Sequence, residues 1–167
     1  LTVASGFTNN GAIELTSSVG SYPATLTVTT GTLTNASTGT ITSLVGTGGG
    51  RTLAAQLDNQ GTLTVDQPLS LNRASSAHLN SGTITVSGGD FTLAQSGTTP
   101  SFATTGTITI ATGRTVAINS GTFTYGAGTL GGSGTLNVSG ASLDLTGNLS
   151  NATLTLVATS ATINGPG

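Results

Sequence analysis

Positions 59–65 read "NQGTLTV" and positions 80–86 read "NSGTITV", twenty-one positions apart. The same phrase opens longer stretches: "GTLTVDQPLSL" from Gly61, "GTITVSGGDFTL" from Gly82, "GTITIATGRTVAI" from Gly106 and "GTLNVSGASLDL" from Gly134. Looser copies precede them, "GAIELTS" from Gly11 and "GTITSLV" from Gly39. The leading glycines therefore recur unevenly along the chain, and a recurrence of about 25 residues is the signature of a solenoid, whose turns absorb insertions. Within each copy Thr alternates with Leu, Ile or Val, which is the period of a half-buried strand. The leading Gly is expected to turn the chain through positive φ. A second Gly, Pro or Asn cluster, such as Ser87-Gly88-Gly89, turns it again into a second strand. No segment has a capped 3.6-residue period, so no helix is expected.

Composition fits a stacked rod better than a disordered chain. Charged residues are 5% of the 167 residues, with no Lys, Cys, Met or Trp and a net charge of −2. Ser and Thr are about a third of the chain, and Leu, Ile, Val and Phe about 23%, above the level typical of disorder. Three Arg and no basic stripe exclude phosphate neutralisation, so no nucleic-acid partner is expected. No apolar run reaches eighteen residues, and no membrane insertion is expected. The chain opens inside a strand-like "LTV" without an initiator Met or a signal-peptide pattern. This predicts one β-solenoid domain over residues 1–167, cut from a longer rod or stacking end to end with neighbouring copies.

A right-handed parallel β-helix of six to seven coils, each of roughly 20–28 residues, accounts for the repeat. It stacks Leu63, Ile84, Ile108 and Leu136 in one inward column and Val65, Val86, Ile110 and Val138 in the next. An antiparallel sandwich gives no reason for like side chains to return every turn. With strands about 4.8 Å apart the rod is roughly 30 Å long. Asn before the turn Gly, at Asn9-Asn10, Asn59, Asn80 and Asn119, is expected to satisfy turn backbone and to stack as a hydrogen-bonded ladder.

The stretches "GTLTNASTGTITS", "LNSGTITVSGGDFTL" and "GTFTYGAGTLGGSGTLNVSG" resemble the β-helical repeats of large bacterial surface proteins, the filamentous-haemagglutinin-like adhesins and autotransporter passenger domains. The resemblance implies secretion to the cell surface and a role as stalk or adhesin, with host or matrix glycans and proteins as partners. It transfers no catalytic or binding residue. The absence of Lys excludes a Lys–Asn isopeptide crosslink.

Candidate chemistry is sparse. Glycoside hydrolysis needs two carboxylates about 5–9 Å apart, and the acids are Glu14, Asp58, Asp66, Asp90 and Asp144. Asp58 and Asp66 lie at turns of neighbouring copies. Asp90 and Arg114 begin equivalent strands and are expected to pair across adjacent rungs. His78, alone in "SSAHLNSG", is expected to face solvent and to bind no metal. "SGGDFTL" lacks the middle Gly of a calcium repeat and does not recur. Tyr125 is expected to face inward, and with Tyr22 makes too few aromatics for a sugar-stacking platform. Asn35, Asn137, Asn148 and Asn151 satisfy Asn-x-Ser/Thr, no more often than composition predicts. The expectation is a non-enzyme with no cofactor and no metal.

One pattern is more specific. Thr40/Thr42, Thr62/Thr64, Thr83/Thr85 and Thr107/Thr109 give Thr-x-Thr in four successive copies, fading at Thr135/Asn137 and at Ala12/Glu14. Stacked, they form two outward files of hydroxyl and methyl groups. Such an array resembles the ice-binding face of β-solenoid antifreeze proteins. Thr is also a favoured residue on any exposed strand, and Thr27, Thr92, Thr122, Thr124, Thr153 and Thr155 are expected outward elsewhere. The reading is an extracellular structural or adhesive β-solenoid. Ice binding is the alternative, followed by a carbohydrate-active β-helix or a phage tail-fibre segment.

Overall fold

The computed structural model describes residues 1–149 and 153–166. Among these the chain forms strands and turns and no helix. Strands β1 (Thr2–Asn9) and β2 (Ala12–Leu15) make the first turn of a solenoid. The second is β3 (Ala24–Asn35) and β4 (Thr40–Ser43), and the third β5 (Arg51–Asn59) and β6 (Thr62–Val65). Thereafter the long strand divides in two. The fourth turn is β7 (Leu69–Leu71), β8 (Ala77–Asn80) and β9 (Thr83–Val86). The fifth is β10 (Phe91–Leu93), β11 (Ser101–Thr104) and β12 (Thr107–Ile110). The sixth is β13 (Thr115–Ile118), β14 (Thr122–Tyr125) and β15 (Thr129–Gly132). Then come β16 (Thr135–Ser139) and β17 (Ser142–Leu145), and finally β18 (Thr155–Thr159) and β19 (Thr162–Asn164).

All neighbouring strands pair in parallel, one turn on the next, giving a β-solenoid of about seven turns with three faces. The first face is the six-stranded sheet β2-β4-β6-β9-β12-β15. The second continues from the leading halves of β1, β3 and β5 into β7, β10, β13, β16 and β18. The third continues from their trailing halves into β8, β11, β14, β17 and β19. Alternation buries every second side chain toward the axis. Leu63, Ile84 and Ile108 are stacked partners at 0–1% exposure, as are Val65, Val86 and Ile110 at 0%. Phe102 and Phe123 stack in the third-face column with ring centroids 5.5 Å apart.

The fourth expected member of each column lies elsewhere. Leu130 and Gly132 follow Ile108 and Ile110. Leu136 and Val138 instead follow Val116 and Ile118 on the second face. The turn that leaves the first face at Thr107 returns to it at Thr129, so the step from Gly106 to Gly134 spans more than one turn. The corner glycines also have a different cause from the one expected. Gly82 and Gly106 are not in the left-handed region. A Cβ on Gly82 would lie 2.2 Å from the Gly61 carbonyl oxygen, and one on Gly106 2.1 Å from that of Gly82. They are glycine because stacked backbones touch there.

Candidate functional site: an ordered threonine face

Strands β4, β6, β9 and β12 are four residues each, entered through a corner Gly. Their inward pairs are Ile41/Ser43, Leu63/Val65, Ile84/Val86 and Ile108/Ile110, all buried. Ser43 is the polar exception, and its Oγ donates to the Gln67 carbonyl at 2.6 Å. Packing therefore fixes which side chains face out. Register sets them in line: Thr40↔Thr62↔Thr83↔Thr107 and Thr42↔Thr64↔Thr85↔Thr109. All eight sequence-predicted threonines thus lie on one face, in two files. Rungs repeat about every 4.8 Å and the files are about 6.5–7 Å apart. None of the eight hydroxyls has a protein hydrogen-bond partner among the described residues.

The array has definite limits. Ala12 and Glu14 precede it, and Thr129 and Gly131 follow it on β15, in place of the expected Thr135/Asn137. Glu14 is the one charge in these two files. The other outward files are mixed. The second-face file runs Thr25, Thr52, Ser70, Thr92, Ala117, Asn137, Val157. The third-face file runs Thr8, Thr34, Asp58, Leu79, Ala103, Thr124, Asp144, Asn164. Thr115, Thr135 and Thr155 also stack on the second face, and Ser101, Thr122, Ser142 and Thr162 on the third, but among the described residues only the first face carries two adjacent threonine files over four rungs. Register shifts interrupt pairing between Ser5 and Phe7 and between Thr27 and Thr32 in the other sheet, while the first-face pairings run without a shift.

Asp58 and Asp144 do not make a carboxylate pair: they share a file but stand four rungs apart, about 19 Å, beyond the separation used in two-carboxylate hydrolysis. Asp58 takes the Gln60 amide at 2.8 Å, and Asp66 takes the Ser87 hydroxyl at 2.5 Å. A shallow depression on the third face, beside Leu79, Ala103 and Thr105, contains Asp58 as its one carboxylate. Asp90 and Arg114 do not form the expected pair. Asp90 accepts the Thr115 backbone N–H at 2.9 Å, and Arg114 donates to the Gly88 carbonyl at 3.0 Å. Each ties one turn's backbone to its neighbour. No cluster of three His, Asp or Glu able to hold a metal occurs among the described residues. Among the same residues no helix is long and apolar enough to cross a membrane.

His78 reverses its expectation. It is 1% exposed, in the third-face column beside Phe102, and its Nδ1 accepts the Leu57 N–H at 3.1 Å. Burial, reinforced by the Arg73 guanidinium, lowers its pKa to about 4. Tyr125 is inward as expected, its hydroxyl bonded to the Gly128 carbonyl at 2.7 Å. Asn35 is fully buried, so its glycosylation motif is closed to modification. Asn119 is exposed and belongs to a different corner from the other turn asparagines. Asn151 lies outside the described residues.

Two roles carry no repeat signal in the sequence. Arg51 is 1% exposed at the head of β5, and its Nε donates to the Leu44 carbonyl at 3.2 Å while Nη1 bonds the Gly49 carbonyl. Arg73 reaches the carbonyls of Gly31 and Thr29, at 2.7 and 2.9 Å, across the strand between them. The three arginines clamp backbone rather than meet acids. Comparison of the chain with protein-family models, with curated proteins and with solved structures found no match to any of them.

Proposed function

We propose that this chain is a non-catalytic structural and adhesive solenoid of a bacterial surface protein, acting outside the cell, and that the threonine face is its lateral contact surface. The observation that carries this reading is the uniformity of the two files. Eight hydroxyls and eight methyls repeat on a regular lattice, and no hydroxyl of the eight is bonded by another of the described residues. One such contact is weak. A row of them, already ordered by the core beneath, adds contacts without a further ordering cost. The surface suits a neutral, hydroxyl-rich or amide-rich partner, such as a glycan or a matrix protein.

The test is a glycan and matrix-protein capture screen with the parent chain and a Thr64→Tyr/Thr85→Tyr variant. Both substitutions sit mid-face and point outward, so the fold should persist. Capture by the parent and loss in the variant supports the reading. Capture that survives moves the contact off this face. A parent chain that captures nothing is a spacer and not an adhesin.

The lattice favours one second reading, ice binding, because a rigid repeat of hydroxyl and methyl groups can order a layer of water. Thermal hysteresis in the parent chain, lost in the Thr85→Tyr variant, supports it. Growth of unshaped crystals at millimolar protein refutes it.

A further inference from the structure

Beneath the threonine face runs a second repeat, of amides. Asn9, Asn35, Asn59 and Asn80 occupy successive inward positions at the corner between the third face and the first. They are buried, at 7%, 0%, 0% and 2% exposure. Each side-chain nitrogen donates to the next rung: Asn9 to Asn35 at 2.8 Å, Asn35 to Asn59 at 2.7 Å, Asn59 to Asn80 at 2.7 Å. The series ends on a hydroxyl, Asn80 donating to Thr104 Oγ1 at 3.0 Å.

A primary amide has two N–H donors. The second leaves the column and crosses the corner. It meets the backbone carbonyl of Thr40 from Asn9 at 3.1 Å, of Thr62 from Asn35 at 3.1 Å, and of Thr83 from Asn59 at 3.2 Å. These are the leading residues of three of the four Thr-x-Thr strands. The two repeats overlap with an offset of one rung, since Asn9 precedes β2 with its Ala12 and Glu14, and β12 follows Thr104. Strands β4, β6, β9 and β12 follow Asn35, Asn59, Asn80 and Thr104. Where the column turns to Tyr125, the strand that follows reads Thr129-Leu130-Gly131 and the second file ends.

We infer that the asparagine ladder is the positioning element of the threonine face, fixing the height and register of each Thr-x-Thr strand. A slip of one rung's strand relative to the column would break both amide bonds at once, with no water at hand to replace them. The column thereby sets the lattice that the outer files present, in addition to holding the core. The geometry stands by itself; what the lattice contacts rests on the function proposed above.

The experiment is amide exchange and threonine-methyl NMR on the whole chain, comparing Asn59→Leu with Leu143→Ala. The control removes core volume on the third face, away from the ladder. The informative signals are Thr64 and Thr85, second-file residues that the Asn59 amide does not touch. Asn59→Leu is expected to shift their methyls and to speed their amide exchange about tenfold, the value of one lost hydrogen bond. Thr52 and Thr92 on the second face should hold still. Leu143→Ala should leave Thr64 and Thr85 unmoved. If Asn59→Leu does not fold, Asn59→Thr copies Thr104: it keeps an acceptor for Asn35 and loses the bond to Thr83. Unchanged Thr64 and Thr85, or equal changes in the control, overturn the inference. In the capture screen, loss with Thr64→Tyr but not with Asn59→Thr also overturns it and leaves the contact reading intact. Insensitivity to Thr64→Tyr removes the contact reading alone.

Discussion

His78 shows what a single buried polar atom demands. Its ring fills a column position between Leu57 and Phe102, and its unprotonated Nδ1 receives the Leu57 N–H. Protonation would remove that acceptor and place a charge in the core. With a pKa of about 4 folded against 6.5 unfolded, the unfolded chain binds the proton more tightly between those values. The stability from neutral His78 is therefore complete above pH 6.5 and is lost as pH falls toward 4, a total of about 3 kcal/mol. His78→Leu should cost about 1–3 kcal/mol at pH 7, because Leu57 N–H loses its acceptor, and should flatten the slope between pH 6.5 and 4. Urea melts across that window check both; a parent chain with no slope there rules the account out. Polarity alone argues for His78 outside. Register decides otherwise: Asp58↔Leu79 and Asn59↔Asn80 put Leu79, 50% exposed, on the surface and His78 within. Gly82 is a second residue whose reason is hidden in the sequence. Its substitution by Ala drives a Cβ into the Gly61 carbonyl and should destabilise by about 1–3 kcal/mol. Gly113, with φ of +72° and open space around it, should lose less, and differential calorimetry of the two Ala variants gives the comparison.

At the scale of elements, strands that alternate Thr with aliphatics are legible in the sequence and those that bury polar atoms are not. The sequence TLTV at β6 and TITV at β9 declares both a strand and its inward side. It does not declare a face, because any of three faces accepts the same alternation. That is why Leu136 aligns with Ile108 in the sequence while the turn length carries it to the second face. The third-face strand β8, Ala77-His78-Leu79-Asn80, hides its inward pair as His and Asn, so three strands per turn read as two. The Thr-x-Thr register is legible because β4 to β12 repeat at nearly constant length. Arg51 illustrates the same blind spot. Its column is otherwise Ala24, Leu69, Phe91, Val116 and Leu136, with no basic residue in it. The guanidinium is there to hold the carbonyls of Leu44, Gly48 and Gly49. Arg51→Leu should keep overall stability within about 2 kcal/mol, since a buried charge is exchanged for an aliphatic that suits the column. The segment 44–50 loses its clamp, and hydrogen exchange or limited proteolysis there should accelerate while β6 and β9 stay protected. Equal acceleration in β6 would show that Arg51 supports the core and not the loop.

At the scale of the molecule, the interior rungs and the end rungs differ in one respect, cover. Core side chains from β5 to β14 are 0–2% exposed in the aliphatic columns. In the last turn Leu156 and Ile163 continue those columns yet are 37% and 48% exposed, and all residues of β18 and β19 are open to solvent. At the other end Leu1 is 85% exposed. A parallel rung offers unpaired backbone groups along its edge as well as apolar side chains, and both are complemented by another parallel rung. The face at β18–β19 and the face at β1 are of opposite polarity, so residues 1–167 taken by themselves should associate reversibly head to tail and not head to head. Sedimentation velocity should show a weight-average mass that rises with concentration. The rise should be indifferent to added NaCl, because charged residues are 5% of the chain and apolar contact is screened by nothing. Leu156→Asp with Ile163→Asp should hold the chain monomeric, since a carboxylate buried at the junction without a partner is strongly unfavourable. Thr64→Tyr should leave association untouched, because the threonine face runs along the rod and takes no part in its ends. Association abolished by Thr64→Tyr and spared by the two Asp substitutions would place the self-contact on the lateral face and make the hydroxyl lattice, not the open rung, the surface by which this chain meets its own copies.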